Sequence, residues 1–184
     1  GDIIDREDDF SHYDVLIAPM LYVVPSALEK KLEEYVKNGG TLLCTYTTGM
    51  VDENDLCHLG GFPAGSLKDV LGIWNEEIDT LYPGEKNTVE MDNADYTAVD
   101  YCELIHPSTA EVLATYKTDF YAGMPALTVN RYGKGRAYYL AFRDTGDFTD
   151  IVTARILAEC GIASDFDGTL GQGLTAHSRT DGET

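Results

Sequence analysis

The hydrophobic pattern of the first fifty residues predicts a strand, a helix and a second strand. The segment 14–20 reads DVLIAPM, a short apolar run typical of a strand buried on both faces. Residues 26–38 then place apolar side chains at helical spacing, and Gly39 and Gly40 provide a stop. The next run, TLLCTYTTG at 41–49, is β-branched and apolar and predicts a second strand. This order indicates a βαβ unit with a right-handed crossover.

The start of the predicted helix carries the residues of a capping box. Ser26 is followed three positions later by Glu29, the spacing at which the two side chains satisfy each other's backbone N–H groups. We therefore expect Ser26 to cap the first turn. The apolar positions expected to face the core are Leu28, Leu32, Tyr35 and Val36.

After Trp74 the pattern changes to short apolar runs bounded by turn residues, which predict strands. They read NTVEM, YCELI, EVLATY, ALTVNRY and RAYYLAF. Gly133-Lys134-Gly135 separates the last two and predicts a β-hairpin, because glycine tolerates positive φ. It is not a phosphate-binding loop, which would open a helix. An apolar stripe over 148–160 predicts a final helix that ends at Gly161. Together these elements predict an α/β, doubly wound, mostly parallel sheet with a β-hairpin.

Composition and charge restrict the partners. The 184 residues suit one domain with a core. Thirteen Lys and Arg against 32 Asp and Glu give a net charge of −19, which repels phosphate backbones and anionic lipids, so we expect no nucleic-acid or membrane partner. The cysteines, at positions 44, 57, 102 and 160, form no CxxC pair. We expect reduced thiols and a cytoplasmic location.

The stretch 51–65 reads VDENDLCHLGGFPAG and predicts a long loop beyond the C-terminal end of a parallel strand, where such folds keep functional loops. Asp52, Glu53, Asp55 and His58 raise the possibility of a hard-cation site. The loop lacks the ladder of ligands that a calcium loop has, so a docking loop or a helix cap is favoured. We expect no metal and no cofactor.

Two other features near the middle of the chain have simple structural interpretations. Trp74 lies in the apolar segment LGIWNEEIDTLYP and is either core or an interface anchor, with core the commoner outcome. Glu76 and Glu77 form a carboxylate pair, but in a sequence this acidic such pairs occur without catalytic meaning.

Cys44 lies on a strand after a helix, as the nucleophile does in class I glutamine amidotransferases. That nucleophile needs a Gly-x-Cys-x-Gly turn, whereas Leu42 and Tyr46 stand at the flanking positions here. His106-Pro107-Ser108 resembles the His-Pro-Glu of those enzymes, with Ser108 in place of the orienting carboxylate. A buried structural cysteine is therefore the favoured interpretation.

Two longer stretches carry a family resemblance. GGTLLCTYTTGMVDENDLCHLGGFP with LKDVLGIWNEEIDTL, and later YAGMPALTVNRYGKGRAYYLAF with ILAECGI, resemble the middle domain of glycoside hydrolase family 42 β-galactosidases. The resemblance implies a flavodoxin-like, class I glutamine amidotransferase-like fold that has lost that chemistry and assembles trimers. It also implies that no residue here is catalytic, since the carboxylates of the (β/α)₈ barrel would lie upstream of residue 1.

The resemblance also implies a domain organisation. Residues 1–163 correspond to the trimerisation domain, with its first strand and helix upstream and GDIIDRED as its second strand. Residues 164–184 correspond to a linker and the first strand of a small C-terminal β-domain. We expect a non-catalytic domain that assembles with copies of itself and with the barrel of the same protein. Two alternatives stay open: an amidotransferase-like hydrolase that uses Cys44, and a ligand-sensing domain that uses the loop 51–65.

Overall fold

The computed structural model describes residues 1–163, which form one sheet with helices on both faces. The helices are α1 (Ser26–Asn38), α2 (Leu67–Leu71) and α3 (Asp147–Glu159). The strands are β1 (Val15–Ala18), β2 (Thr41–Thr45), β3 (Ile73–Thr80), β4 (Asn87–Met91), β5 (Ala94–Pro107), β6 (Glu111–Tyr116), β7 (Pro125–Tyr132), β8 (Gly135–Leu140) and β9 (Phe142–Asp144). Within these residues no helix is long and apolar enough to cross a membrane.

The sheet is mixed, which confirms the α/β class, but the expectation of mostly parallel pairing is wrong. The strand order is β1-β2-β8-β7-β6-β4-β5-β3, and β9 pairs with β5. Among the strands of residues 1–163, only β1 with β2 and β2 with β8 are parallel, and the other pairs are antiparallel. The reason is short connections: β4 and β5 are joined by Asp92 and Asn93, both at positive φ, a tight turn that permits only an antiparallel hairpin.

Each face of the sheet has its own core. One core joins α1 and α2 to the sheet through residues such as Leu32, Leu67 and Cys44. The other joins α3 to the opposite face through residues such as Val152 and Leu43. Because neighbouring strand residues point to opposite faces, Leu43 and Cys44 enter different cores. This double coverage agrees with the doubly wound expectation.

Helix α1 has the predicted limits and buried face but a different start. Its four expected core residues are all buried. The expected capping box is wrong: the N-cap is Pro25, and no side chain caps the helix. The Glu29 carboxylate instead accepts the backbone N–H of Ser66 at 2.6 Å. The Glu29 side chain thus binds the start of α2 in place of the start of its own helix.

The predicted β-hairpin is confirmed. Tyr132 and Gly135 are paired residues that flank the turn, and Gly133 has φ +59°. The turn packs on the end of α1, where Lys134 donates its backbone N–H to the Lys37 carbonyl at 3.0 Å. A Cβ on Gly133 would come within 2.5 Å of that carbonyl oxygen, so both backbone conformation and close approach require glycine.

Two expectations for the start of the chain are wrong. Strand β1 is not buried on both faces, because it is an edge strand of the described sheet and Ile17 is 49% exposed. In its neighbour β2, by contrast, all five residues are buried. Residues 1–8 form no strand. The backbone N–H of Asp5 donates to the Asp8 carboxylate at 2.9 Å, and that of Glu7 donates to the Asp5 carboxylate at 2.9 Å. These bonds make a turn. The strand expected in 164–184 lies outside the described residues.

Candidate functional site

Cys44 is a structural residue in the core between the sheet and helices α1 and α2. Its side chain is fully buried, and burial raises the pKa of the thiol to about 12. A thiol with this pKa holds almost no thiolate at neutral pH, and the thiolate is the nucleophile. The expectation of a buried strand cysteine is confirmed, and the Cys44 hydrolase alternative loses its nucleophile.

The structure does not bring Cys44 and His106 together. Ile105 belongs to the same core as Cys44, so its neighbour His106 projects from the opposite face of β5. There the imidazole stacks on the indole of Trp74, with 4.2 Å between ring centroids and 11° between planes. Its Nε2 lies 2.6 Å from Oε2 of Glu76. Glu76 is thus the carboxylate that binds His106. We call the exposed group of Trp74, His106 and Glu76 the Trp74 platform.

Trp74 is exposed, so its expected place in the core is wrong. It is 45% exposed on β3, the edge strand opposite β1. Its neighbours Ile73 and Asn75 are buried, and strand alternation therefore places Trp74 on the outer side. The interface-anchor interpretation stays a prediction, supported by a rigid, stacked, exposed indole of the kind that anchors protein contacts.

Sequence reasoning missed the buried carboxyl of Glu103. This side chain has no solvent exposure; it accepts the Tyr139 hydroxyl at 2.6 Å and the backbone N–H of Thr47 at 2.8 Å. Burial raises its pKa from 4.5 to about 7. Thr47 follows β2 at φ +61°, an unusual conformation for a β-branched residue. The sequence does carry a signal for this burial: Glu103 lies between Cys102 and Leu104, in a strand that is buried on both faces.

The acidic residues of the loop 51–65 organise its backbone. The Asp52 carboxylate accepts the N–H groups of Asn54 and Leu56 at 2.8 and 3.0 Å, and these bonds hold its pKa below the ordinary value. Glu53 and Asp55 are exposed. Among residues 1–163 no three His, Cys, Asp or Glu side chains are grouped as metal ligands. The docking-loop interpretation of this segment stays a prediction.

Several apolar side chains are exposed on this loop and on the segment after β1 that pairs with it. We call them the apolar loop surface; its members are Met20, Tyr22, Val23, Leu56 and Leu59. Isolated β-bridges from Val51 to Val23 and Cys57 tie the two segments together. Leu59 is 100% exposed and Leu56 63%. Exposed apolar side chains on two paired backbone segments suit a protein interaction site.

Sequence and fold place the chain in a known family. Residues 1–163 match the family described as the β-galactosidase trimerisation domain, and the chain belongs to it. The family expected from the sequence is therefore confirmed. The matched range includes the βαβ unit, the loop 51–65 and the hairpin.

Several β-galactosidases contain a region similar to this chain. β-Galactosidase Pbg of Clostridium perfringens is 49% identical over 187 residues, covering 98% of this chain and 27% of the relative. The crystal structure of a cold-adapted β-galactosidase from Rahnella sp. R3 is 42% identical with a TM-score of 0.93, covering 98% of this chain and 27% of that one. Gan42B, a GH42 β-galactosidase, is 42% identical with a TM-score of 0.83, covering 85% of this chain and 23% of that one. The chain thus spans about a quarter of the length of these relatives.

Proposed function

We propose that this chain is the non-catalytic assembly domain of a longer β-galactosidase, here called the parent protein. The parent protein would hydrolyse terminal, non-reducing β-D-galactose residues. The observation that carries the proposal is the match of residues 1–163 to a trimerisation domain. The curated relatives are β-galactosidases about four times as long as the match, which leaves room for a catalytic barrel. Retaining hydrolysis needs two carboxylates flanking the scissile bond, and the proposal assigns both to that barrel.

The domain organisation is part of this proposal. Residues 1–163 would form the trimerisation domain, with a further strand and helix upstream, and 164–184 a linker and the first strand of a C-terminal β-domain. The open edge at β1 supports the upstream elements, since an edge strand offers unpaired backbone groups to a neighbour. Beside it lies an apolar groove of about 230 Å³ whose walls include Ile4, Leu16 and Leu28. The parallel β1-β2-β8 unit supports descent from a flavodoxin-like, class I glutamine amidotransferase-like fold.

The partners follow from the same proposal. The domain would contact two further copies of the parent protein in a trimer, and the barrel of its own chain. A cytoplasmic location is consistent with the four free cysteines, of which Cys57 is exposed. The apolar loop surface and the Trp74 platform are the two exposed features that suit such contacts.

Activity measurements on both proteins test the proposal. The purified 184-residue chain should not hydrolyse a chromogenic β-galactoside, whereas the parent protein should. A matched control is the chain carrying Glu76→Gln, which removes the exposed carboxylate that contacts His106. Turnover by the chain that this substitution abolishes would show a catalytic site inside the domain and contradict the proposal.

A further inference from the structure

A cleft beside α3 has a lining whose chemistry complements that of the apolar loop surface. We infer that the apolar loop surface of one copy of this chain docks into an arginine-lined cleft of the next copy. This inference rests on the proposed assembly function and names the surfaces that carry it. The contact would be head-to-tail, with Leu59 entering the cleft and Glu53 meeting Arg131.

The cleft has the size and lining to accept an apolar side chain. It encloses about 370 Å³ between strands β6, β7 and β8 and the last turns of α3. Leu113 and Val129 give it an apolar floor, and Arg131, Arg136 and Arg155 line it with cations. A leucine side chain fits within this volume. The cleft therefore combines an apolar centre with a charged rim, the usual anatomy of a protein interface.

The charges of the cleft are an exception in a chain of net charge −19. Arg131 and Arg136 are directly opposite each other in the β7–β8 ladder, a like-charge pair that destabilises a sheet. Glu159 neutralises Arg136, with its Oε2 2.5 Å from Nη1. Arg131 is exposed and makes no ion pair within residues 1–163. Arg155 is paired with Asp92 and with Glu159, each at 3.3 Å. The cation of the cleft that is left to attract an acidic partner is therefore Arg131.

The apolar loop surface has the complementary chemistry. Leu59 is its most exposed member. Beside it, Glu53 and Asp55 are exposed carboxylates that make no ion pair in the described part of the chain. The backbone bonds to Asp52 hold residues 52–56 in a turn, which reduces the conformational entropy that this part of the loop loses on docking. The loop thus offers an apolar tip with a negative rim to an apolar floor with a positive rim.

The two surfaces lie far enough apart on the domain to permit a head-to-tail contact. The loop follows Thr45, at the C-terminal end of β2, whereas Arg136 is paired with Thr41 at its N-terminal end. One copy can therefore present its loop to one neighbour while its cleft receives the loop of another, which is a head-to-tail arrangement. Head-to-tail contacts close into rings when the rotation permits, and a ring of three is what a trimerisation domain requires.

Charge exchange in the parent protein tests the contact. We compare wild type, Glu53→Arg, Arg131→Glu and the double variant by sedimentation velocity over a range of concentrations. Each single reversal should raise the dissociation constant of the trimer at least about tenfold, and the double variant should return to within about threefold of wild type. Lys86→Glu, the reversal of an exposed cation between β3 and β4, is the matched control and should behave as wild type.

A second pair of variants separates apolar contact from charge. Leu59→Ser should weaken the trimer, and Phe120→Ser, at an exposed aromatic residue on the segment between β6 and β7, should not. Single reversals without effect, or loss that the double variant fails to recover, would overturn the inference while leaving the trimer intact. A wild-type parent protein that never associates would instead contradict the proposed function.

Discussion

The buried carboxyl of Glu103 should make the stability of this domain depend on pH in a defined way. Its pKa is about 7 in the folded chain and 4.5 when unperturbed. Between these values the unfolded chain releases the proton while the folded chain keeps it. The folded state therefore binds more protons, and the free energy of unfolding falls as pH rises from about 4.5 to about 7.

The size of the effect follows from the same two values. At about 1.4 kcal/mol per pH unit, moving the pKa from 4.5 to about 7 lowers the free energy of unfolding by about 3 kcal/mol across that window. Glu103→Gln removes this contribution, since an amide does not titrate. Its oxygen still accepts the Thr47 N–H, and its nitrogen can donate to the Tyr139 hydroxyl in place of the present bond.

Urea unfolding of wild type and Glu103→Gln between pH 4.5 and 8 measures the effect. Subtracting the free energy of unfolding of wild type from that of the variant at each pH removes the contribution of the other carboxylates. We expect this difference to rise by about 2–3 kcal/mol from the lowest to the highest pH. Glu77→Gln, at an exposed position on β3, is the control and should follow wild type. A constant offset between Glu103→Gln and wild type across this range would refute the reasoning.

Other predictions concern the β2 turn and the cysteines. Thr47→Gly should raise the free energy of unfolding by about 0.5–1 kcal/mol in urea, because glycine accepts φ +61° and the buried Thr47 hydroxyl has no hydrogen-bond partner among residues 1–163; a loss of stability would contradict this. Cys44→Ala should cost about 1–3 kcal/mol in the same assay, since it removes a fully buried side chain; an unchanged midpoint would argue against it. In native thiol labelling, exposed Cys57 should react quickly and Cys44 only on unfolding, so rapid alkylation of Cys44 would refute its burial.

Elements defined by local pattern could be predicted from the sequence. The run NTVEM coincides with β4, and the apolar spacing of α1 identified all its buried residues. The hairpin could be predicted because its turn depends on Gly133 itself. In each case the information lies within a few consecutive residues, where backbone conformation and alternation of faces decide the outcome.

Features that depend on distant residues could not be predicted. Ser26 and Glu29 have the spacing of a capping box, but a backbone N–H 37 positions away competes for the Glu29 carboxylate. The exposure of Trp74 depends on β3 being an edge strand, which only the complete strand order decides. The arginine-lined cleft likewise combines β7, β8 and α3, so its charges are scattered in the sequence.

The mass of the parent protein in solution tests the central claim most directly. Sedimentation equilibrium across a range of concentrations should give three times the mass of one subunit, because the family of this domain is defined by trimer assembly. A mass of one subunit at every concentration would contradict an assembly role for the domain.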